Sequence, residues 1–270
     1  MKAPPFAYAK PRSLEEALEL LERPGAKALA GGQSLLAALN VRLASPELLV
    51  DITGLEALRG IELEQDVVWI GALTTHAQVE SSPEIRKHIP LLAAAAPHIA
   101  HPAIRNRGTL GGSIALADPA AEYPACLVAL DASIVIARKS GERMVKAEKF
   151  FKGLFEVDLR PDELVTGVEV QAQLKDERSV FLELARRQGD YAIIGLAAHR
   201  GSGNRFVYFG AGSTPVLARK ASAARNLQDA KAMLADDLDP PADLYHSPAT
   251  KLHLARVLLE RAWNPLTTSR

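Results

Sequence analysis

The chain has one cysteine, Cys126, in 270 residues. A single thiol excludes an internal disulfide. It also excludes a cysteine-ligated iron–sulfur cluster held by this chain alone. If the protein exchanges electrons with such a cluster, another chain carries it. Excess charge is missing too, because Lys+Arg and Asp+Glu each number 32. Without a positive surplus nothing gathers a phosphate backbone, so no nucleic-acid partner is expected. Long apolar runs are absent. "IPLLAAAAPHIA" comes nearest, and prolines and a histidine interrupt it, well short of the ~20 apolar residues of a membrane span. The start, "MKAPPFAYAKP", lacks the apolar core of a secretory signal. The expectation is a soluble, intracellular chain with no transmembrane segment.

Apolar residues make up 48% and charged residues 24%, ordinary for a globular protein. A chain of this length buries roughly 75% of its unfolded surface, as one large domain or two smaller ones. "SLEEALELLE" (13–22) has Ser followed three residues later by Glu and leucines at helical spacing, a capping-box helix start. "KALA" reads as a strand, "SLLAALNVRL" as a helix with Ser34 near its N-cap, and "ELLVDI" (47–52) and "DVVWIGA" (66–72) as strands. Strand, helix and strand in the first fifty or so residues suggest a small α/β unit. A helix starts at Thr75, and an Ala-rich segment covers 91–100. The segment 101–119 has few helix signals. Asp118 then reads as the N-cap of a helix over 118–130 that buries Cys126 as an inert thiol.

"ASIVIAR" and "ERMVKAEKF" pair around "KSGE", and "DELVTGVEVQ" adds a strand. From about Ser179 three strands follow in sequence, then helical segments near 218–234 and 249–262. Strands followed by helices suggest a separate α+β unit. The boundary falls near residue 172, with 1–172 as one domain (subdomains about 1–55 and 56–172) and 173–270 as the other.

Within "KALAGGQSLLAALNVRL" (27–43), Ala30, Gly31, Gly32, Gln33 and Ser34 lie between strand and helix. Bare backbone and a helix N-terminus can receive an anion there. Thr109, Leu110, Gly111, Gly112 and Ser113 repeat the pattern of paired glycines flanked by hydroxyls. Two such loops could clasp a diphosphate from both sides. Singly, each is also ordinary turn chemistry. A P-loop is excluded, because Gln33 follows Gly32 where Lys is needed. A dinucleotide fold of the three-glycine type needs an acidic residue about 20 positions on. Asp51 fits that distance, but the third glycine is missing.

"LAGGQSL", "IRNRGTLGGSIALADPAAEYPA" and "ARRQGDYA" occur in the order and spacing of a known family. The chain resembles, over nearly its whole length, the FAD-binding medium subunits of molybdenum hydroxylases, those of aerobic carbon monoxide dehydrogenase more than the flavin segments of xanthine dehydrogenases. The resemblance implies an α+β fold. A two-part FAD-binding domain of the vanillyl-alcohol oxidase/CO dehydrogenase flavoprotein type would precede a C-terminal domain of a small antiparallel sheet with helices. It implies a cytoplasmic complex, by extension peripheral at the inner membrane face, arranged as a dimer of heterotrimers. A large subunit would hold the molybdenum cofactor and oxidise the substrate, and a small subunit would hold two 2Fe–2S clusters. This chain would carry FAD and pass electrons to quinone, NAD or another acceptor, with no catalytic residue for substrate chemistry and no metal of its own.

By motif, the resemblance assigns the two loops, 30–34 and 109–113, to the FAD phosphates, and Glu122 to hydroxyls of the sugar-alcohol chain. It places Tyr191 against the isoalloxazine, with Asp190 and Val165 near the same ring system. Gln33 stands for a frequent histidine, Ser113 for a frequent asparagine and Glu122 for an aspartate. Glu183 stands where xanthine dehydrogenases and close relatives carry lysine. A negative charge there would lower the flavin potential unless Arg186 or Arg187 compensates. The plainer alternatives are that Asp118 caps a helix, Glu122 answers a helix dipole, and Tyr191 is a half-buried strand residue. His98 and His101 lack a third ligand for a metal, and Arg105 and Arg107 fit a diphosphate contact, a solvated loop or a subunit contact equally. Two rival functions stand beside the main one, a stand-alone flavin oxidase and a non-catalytic nucleotide-binding assembly module.

Overall fold

The computed structural model describes residues 2–267. Its first layer is a three-stranded parallel sheet in which Leu48–Asp51 lies between Ala7–Ala9 and Ala26–Leu29. All four residues of the middle strand are buried. Helix Leu14–Leu21 covers this sheet with Ala17, Leu18 and Leu21. Ser13 caps it by accepting from the Glu16 amide, while the Glu16 carboxylate reaches back to the Arg12 amide. The following helix, Leu35–Asn40, is shorter than expected and gives way to Arg42 at φ 59°.

The second layer is a five-stranded antiparallel sheet. Its order is Ile61–Glu64, Val67–Gly71, Leu164–Gln171, Ser133–Arg138, Gly141–Lys146. The third is an antiparallel sheet of Arg178–Leu184, Ile194–Arg200, Asn204–Phe209 and Val216–Leu217. Helix Glu122–Ala129 lies between these two sheets, and all eight of its residues are buried. It and its neighbours join Ile134 and Val168 of one sheet to Phe181, Ala197, Val207 and Phe209 of the other in one core. Strand alternation sends Val180, Leu182 and Leu184 to the opposite face. There they meet a second core that includes Leu234, Leu258 and Leu259 from helices Leu227–Asp237 and Pro248–Thr267.

The sequence misleads in three places. Segment 101–119 forms two helices, Pro102–Arg105 and Leu110–Leu116. The glycines of the second are tolerated because Thr109 caps it and Gly111 packs against Ala72, whose Cβ would lie 2.5 Å from any added Cβ. Asp118 does not cap the next helix. It accepts from the Ala120 amide in a local turn, so the helix starts at Glu122. Strands Ala7–Ala9 and Ile61–Glu64 were not expected: the first spans only three residues, and the second alternates over only four, three of them exposed.

Gly195 sits opposite Phe209 across the third sheet. A Cβ there would fall 1.9 Å from Phe209 Cζ, so the ring occupies the space of the missing side chain. The same ring stacks on Phe181 at 5.6 Å. Gly195→Ala is expected to displace both rings and destabilise the fold by about 1–3 kcal/mol. Denaturant titration checks this, and an unchanged midpoint contradicts it.

Candidate cofactor-binding site

The first glycine loop rests on the residues that lead into the second. A Cβ on Gly31 would lie 2.1 Å from the Arg107 carbonyl oxygen and 2.9 Å from Gly108 Cα. No side chain fits at Gly31 unless the backbone of 107–108 moves. Gly32 adopts φ +72°, a left-handed conformation that favours glycine. Among the described residues, the amides of Gly31, Gly32, Gln33 and Ser34 have no acceptor within the chain. Gln33 turns its side-chain amide back to Gly31 O, and Ser34 stands at the N-cap with its hydroxyl making no capping bond. Ala30 packs at the edge of the first core.

The second loop is built differently, which corrects the expectation of equal equipment. The Leu110 amide donates to Thr74 O and the Gly111 amide to Ala72 O. The Gly112 amide donates to Thr109 Oγ1 and the Ser113 amide to Thr109 O. The first two pin the helix onto residues 72–74, and the other two close its first turn on Thr109. Leu110 is wholly buried, and exposed Gly112 and half-buried Ser113 form the accessible face.

Glu122 opens its helix and is 9% exposed. Burial pushes its carboxyl up to about 7, against the pull of its own backbone amide, and the negative charge of Asp118 adds to the rise. The Tyr191 phenol is raised by partial burial and by the charges of Asp118 and Glu122. Tyr191 is not a strand residue. It is 78% exposed, in the segment before Ile194–Arg200. That segment is pinned where Gln188 donates to Pro97 O and Gly189 lies against Ala100 O. Exposed Asp190 belongs to the same turn, its amide donating to Arg187 O. Val165 is 3% exposed at a bulge in the second sheet, and its side chain is spent on the core.

Four further expectations are corrected. Arg105 makes a two-point ion pair with Glu80 and donates to Ile99 O and Ala100 O, so it ties segments together rather than facing an anion. Asp51 accepts from Tyr8 and Thr53, which uses it up within the first unit. Glu183 is not a free negative charge. Its side chain is 2% exposed, and burial together with nearby Glu122 pushes its carboxyl up to about 8. It is therefore mostly un-ionised at neutral pH. Arg186 is no compensating partner, since its guanidinium lies 4.3 Å over the Tyr245 ring.

Nothing in the sequence singles out His76. It is 5% exposed under Gly108, and burial, then the Arg105 charge, push its imidazole down to about 4. Its ring meets Tyr123 edge-on at 5.3 Å, and its Nδ1 and the Tyr123 hydroxyl are both buried without a partner. A histidine one residue past an N-cap carries no pattern that separates burial from exposure.

A glycine loop with unpaired amides has the donors to receive an anion. The family model described as "FAD binding domain in molybdopterin dehydrogenase" matches residues 4–171, and the chain belongs to that family, as an FAD-binding medium subunit of the molybdenum hydroxylase type. It is 37% identical to the 6-hydroxypseudooxynicotine dehydrogenase complex subunit alpha of Paenarthrobacter nicotinovorans, over 97% of this chain and 94% of the relative. It is 42% identical to the carbon monoxide dehydrogenase medium chain of Hydrogenophaga pseudoflava, over 76% and 72%. The solved carbon monoxide dehydrogenase of Hydrogenophaga pseudoflava superposes with a TM-score of 0.93 at 35% identity, covering 98% of each chain. Among the described residues, no helix is long and apolar enough to cross a membrane.

The buried acid predicts a pH dependence of stability. Glu183 in the fold binds its proton up to about pH 8, whereas an unfolded glutamate releases it near 4.5. The folded state therefore holds more protons across that window, and stability falls as pH rises through it, by at most about 1.4 kcal/mol per pH unit. Urea unfolding of wild type and Glu183→Gln should show that this decline is shallower in the variant. Identical declines contradict the assignment.

Proposed function

We propose that this chain holds FAD across the contact between the two loops and relays electrons to an acceptor. The electrons arrive from 2Fe–2S clusters on a small partner subunit. One observation carries the proposal: Gly31 lies against the Arg107–Gly108 backbone while the adjoining amides remain unpaired. Unpaired amides beside a backbone contact suit phosphate oxygens, and anion binding needs no lysine where N–H groups converge. Bound FAD supplies the exchange between one-electron carriers and a two-electron acceptor such as quinone or NAD.

The residues divide the task. Ala30, Gly31, Gly32, Gln33 and Ser34 take phosphate oxygens through backbone N–H groups and the Ser34 hydroxyl. Thr109, Leu110, Gly111, Gly112 and Ser113 shape the opposite wall, with Gly112 and Ser113 presenting it. Glu122, with its carboxyl pushed to about 7, can accept from or donate to a sugar-alcohol hydroxyl. Tyr191 and Asp190, on a pinned but exposed segment, cover the ring edge, and Val165 supports it from the core. The chain divides near residue 172 into a cofactor-holding part and a C-terminal part that closes over helix Glu122–Ala129. No residue here acts on the substrate, which reacts on a large molybdenum subunit. We place the complex in the cytoplasm as a dimer of heterotrimers.

Purified chain is expected to carry close to one flavin, and Glu122→Ala to lose most of it, as read from flavin absorbance per protein. The isolated chain should leave its flavin oxidised when offered carbon monoxide, a purine, an N-heterocycle or an aldehyde. The chain copurified with its partners should be bleached by one of them. Bleaching of the isolated chain would contradict the relay and favour a self-sufficient oxidase.

A further inference from the structure

The interface between the second and third layers buries an acid that the assignments above leave unused. Glu183 extends from strand Arg178–Leu184 with its side chain 2% exposed, and its Oε2 has no hydrogen-bond partner. His98 Nδ1 stands 3.6 Å from that oxygen, just outside hydrogen-bond distance, and the His98 side chain is 33% exposed. The His98 ring lies 5.1 Å from Phe181.

The groups around Glu183 can be named element by element. Helix Glu122–Ala129 brings Glu122 and Cys126, both close enough for their charges to couple to this interior. The turn Ala96–His98 brings His98. Helix Pro90–Ala95 has no titratable side chain. Strand Ile194–Arg200 places Gly195 directly opposite Glu183. Helix Pro248–Thr267 meets the other face of the strand, where Val180, Leu182 and Leu184 point. No lysine or arginine pairs with Glu183 among the described residues. An acid without a cation in such a place stays protonated.

We propose that Glu183 is a positioning residue that holds a proton beside the flavin site, with His98 linking it to solvent, and so ties the redox potential of the bound cofactor to pH. This rests on the FAD assignment of Glu122 above. Electrons entering a group next to Glu122 make the ionised form of Glu183 less favourable. The acid therefore keeps its proton, or takes one from water through His98, as the partner's clusters deliver electrons. No bond between Glu183 and the cofactor forms or breaks. Burial of His98 lowers its own basicity, which favours the proton on the carboxyl.

The test uses the full chain with its bound flavin. Flavin midpoint potentials are measured by spectroelectrochemistry at a series of pH values on both sides of 8, where Glu183 is placed. Wild type is expected to show a steeper fall of potential with pH than Glu183→Gln. Glu183→Leu, which also removes the proton site, should follow the Gln variant and keeps the comparison open if one of them fails to fold. Carbon-13 NMR of glutamate-labelled protein gives a readout independent of redox state. Wild type should contain a carboxyl titrating far above the usual glutamate range that is missing in Glu183→Gln. Parallel potential lines in wild type and variants, with flavin bound in all of them, would overturn this inference alone. Absence of flavin from wild type and variants alike would overturn the FAD assignment and the inference with it.

Discussion

The structure depends on a side chain that is not there. Gly31 lets the turn after Ala26–Leu29 rest on the Arg107 carbonyl, with no room for a side chain between them. Elsewhere the two layers meet through side chains, Leu18 and Val50 of the first sharing a core with Ala137 and Leu164 of the second. A bare-backbone contact is more exacting than side-chain packing, because carbonyl and Cα positions cannot rotate out of the way. The same contact leaves neighbouring amides unpaired, an arrangement that costs stability unless an acceptor arrives. Binding and folding therefore share one constraint.

A second theme is the treatment of polar groups inside. The second loop pairs the amides of Leu110, Gly111, Gly112 and Ser113 internally, and Arg105 is spent on Glu80 and two carbonyls. Against that background the unsatisfied atoms stand out. His76 Nδ1 and the Tyr123 hydroxyl lie beneath the second loop, and Glu183 Oε2 lies at the interface of the layers. Glu122 and Glu183 are both driven toward the neutral form by burial. The neighbourhood proposed for the cofactor is thus one of low dielectric and suppressed charge. In such surroundings a charge added nearby is felt strongly.

Much of this was legible in the sequence. The Ser13 and Thr75 caps, the parallel strand–helix–strand start and the hairpin around 139–140 follow from local rules, and the structure has them. The glycine loops were visible as loops, but their inequality was not. Whether an amide is free depends on residues 72–74, far away in the chain. The helix over Gly111 and Gly112 was invisible because its stability comes from packing on Ala72 rather than from propensity. Tyr191 was placed in a strand because "YAIIGLAAHR" runs apolar, yet pairing begins only at Ile194. Glu183 read as a charge because ionisation is set by burial, which a single sequence does not display.

The most direct measurement is the affinity of the apo chain for FAD, by fluorescence titration, in wild type and Gly31→Ala, with circular dichroism confirming that both are folded. A methyl group at that position must push the Arg107 carbonyl away. The account predicts weakening of at least about tenfold, or 1.4 kcal/mol. Equal affinities in two folded proteins would contradict it, and would place the cofactor away from the contact of the two loops.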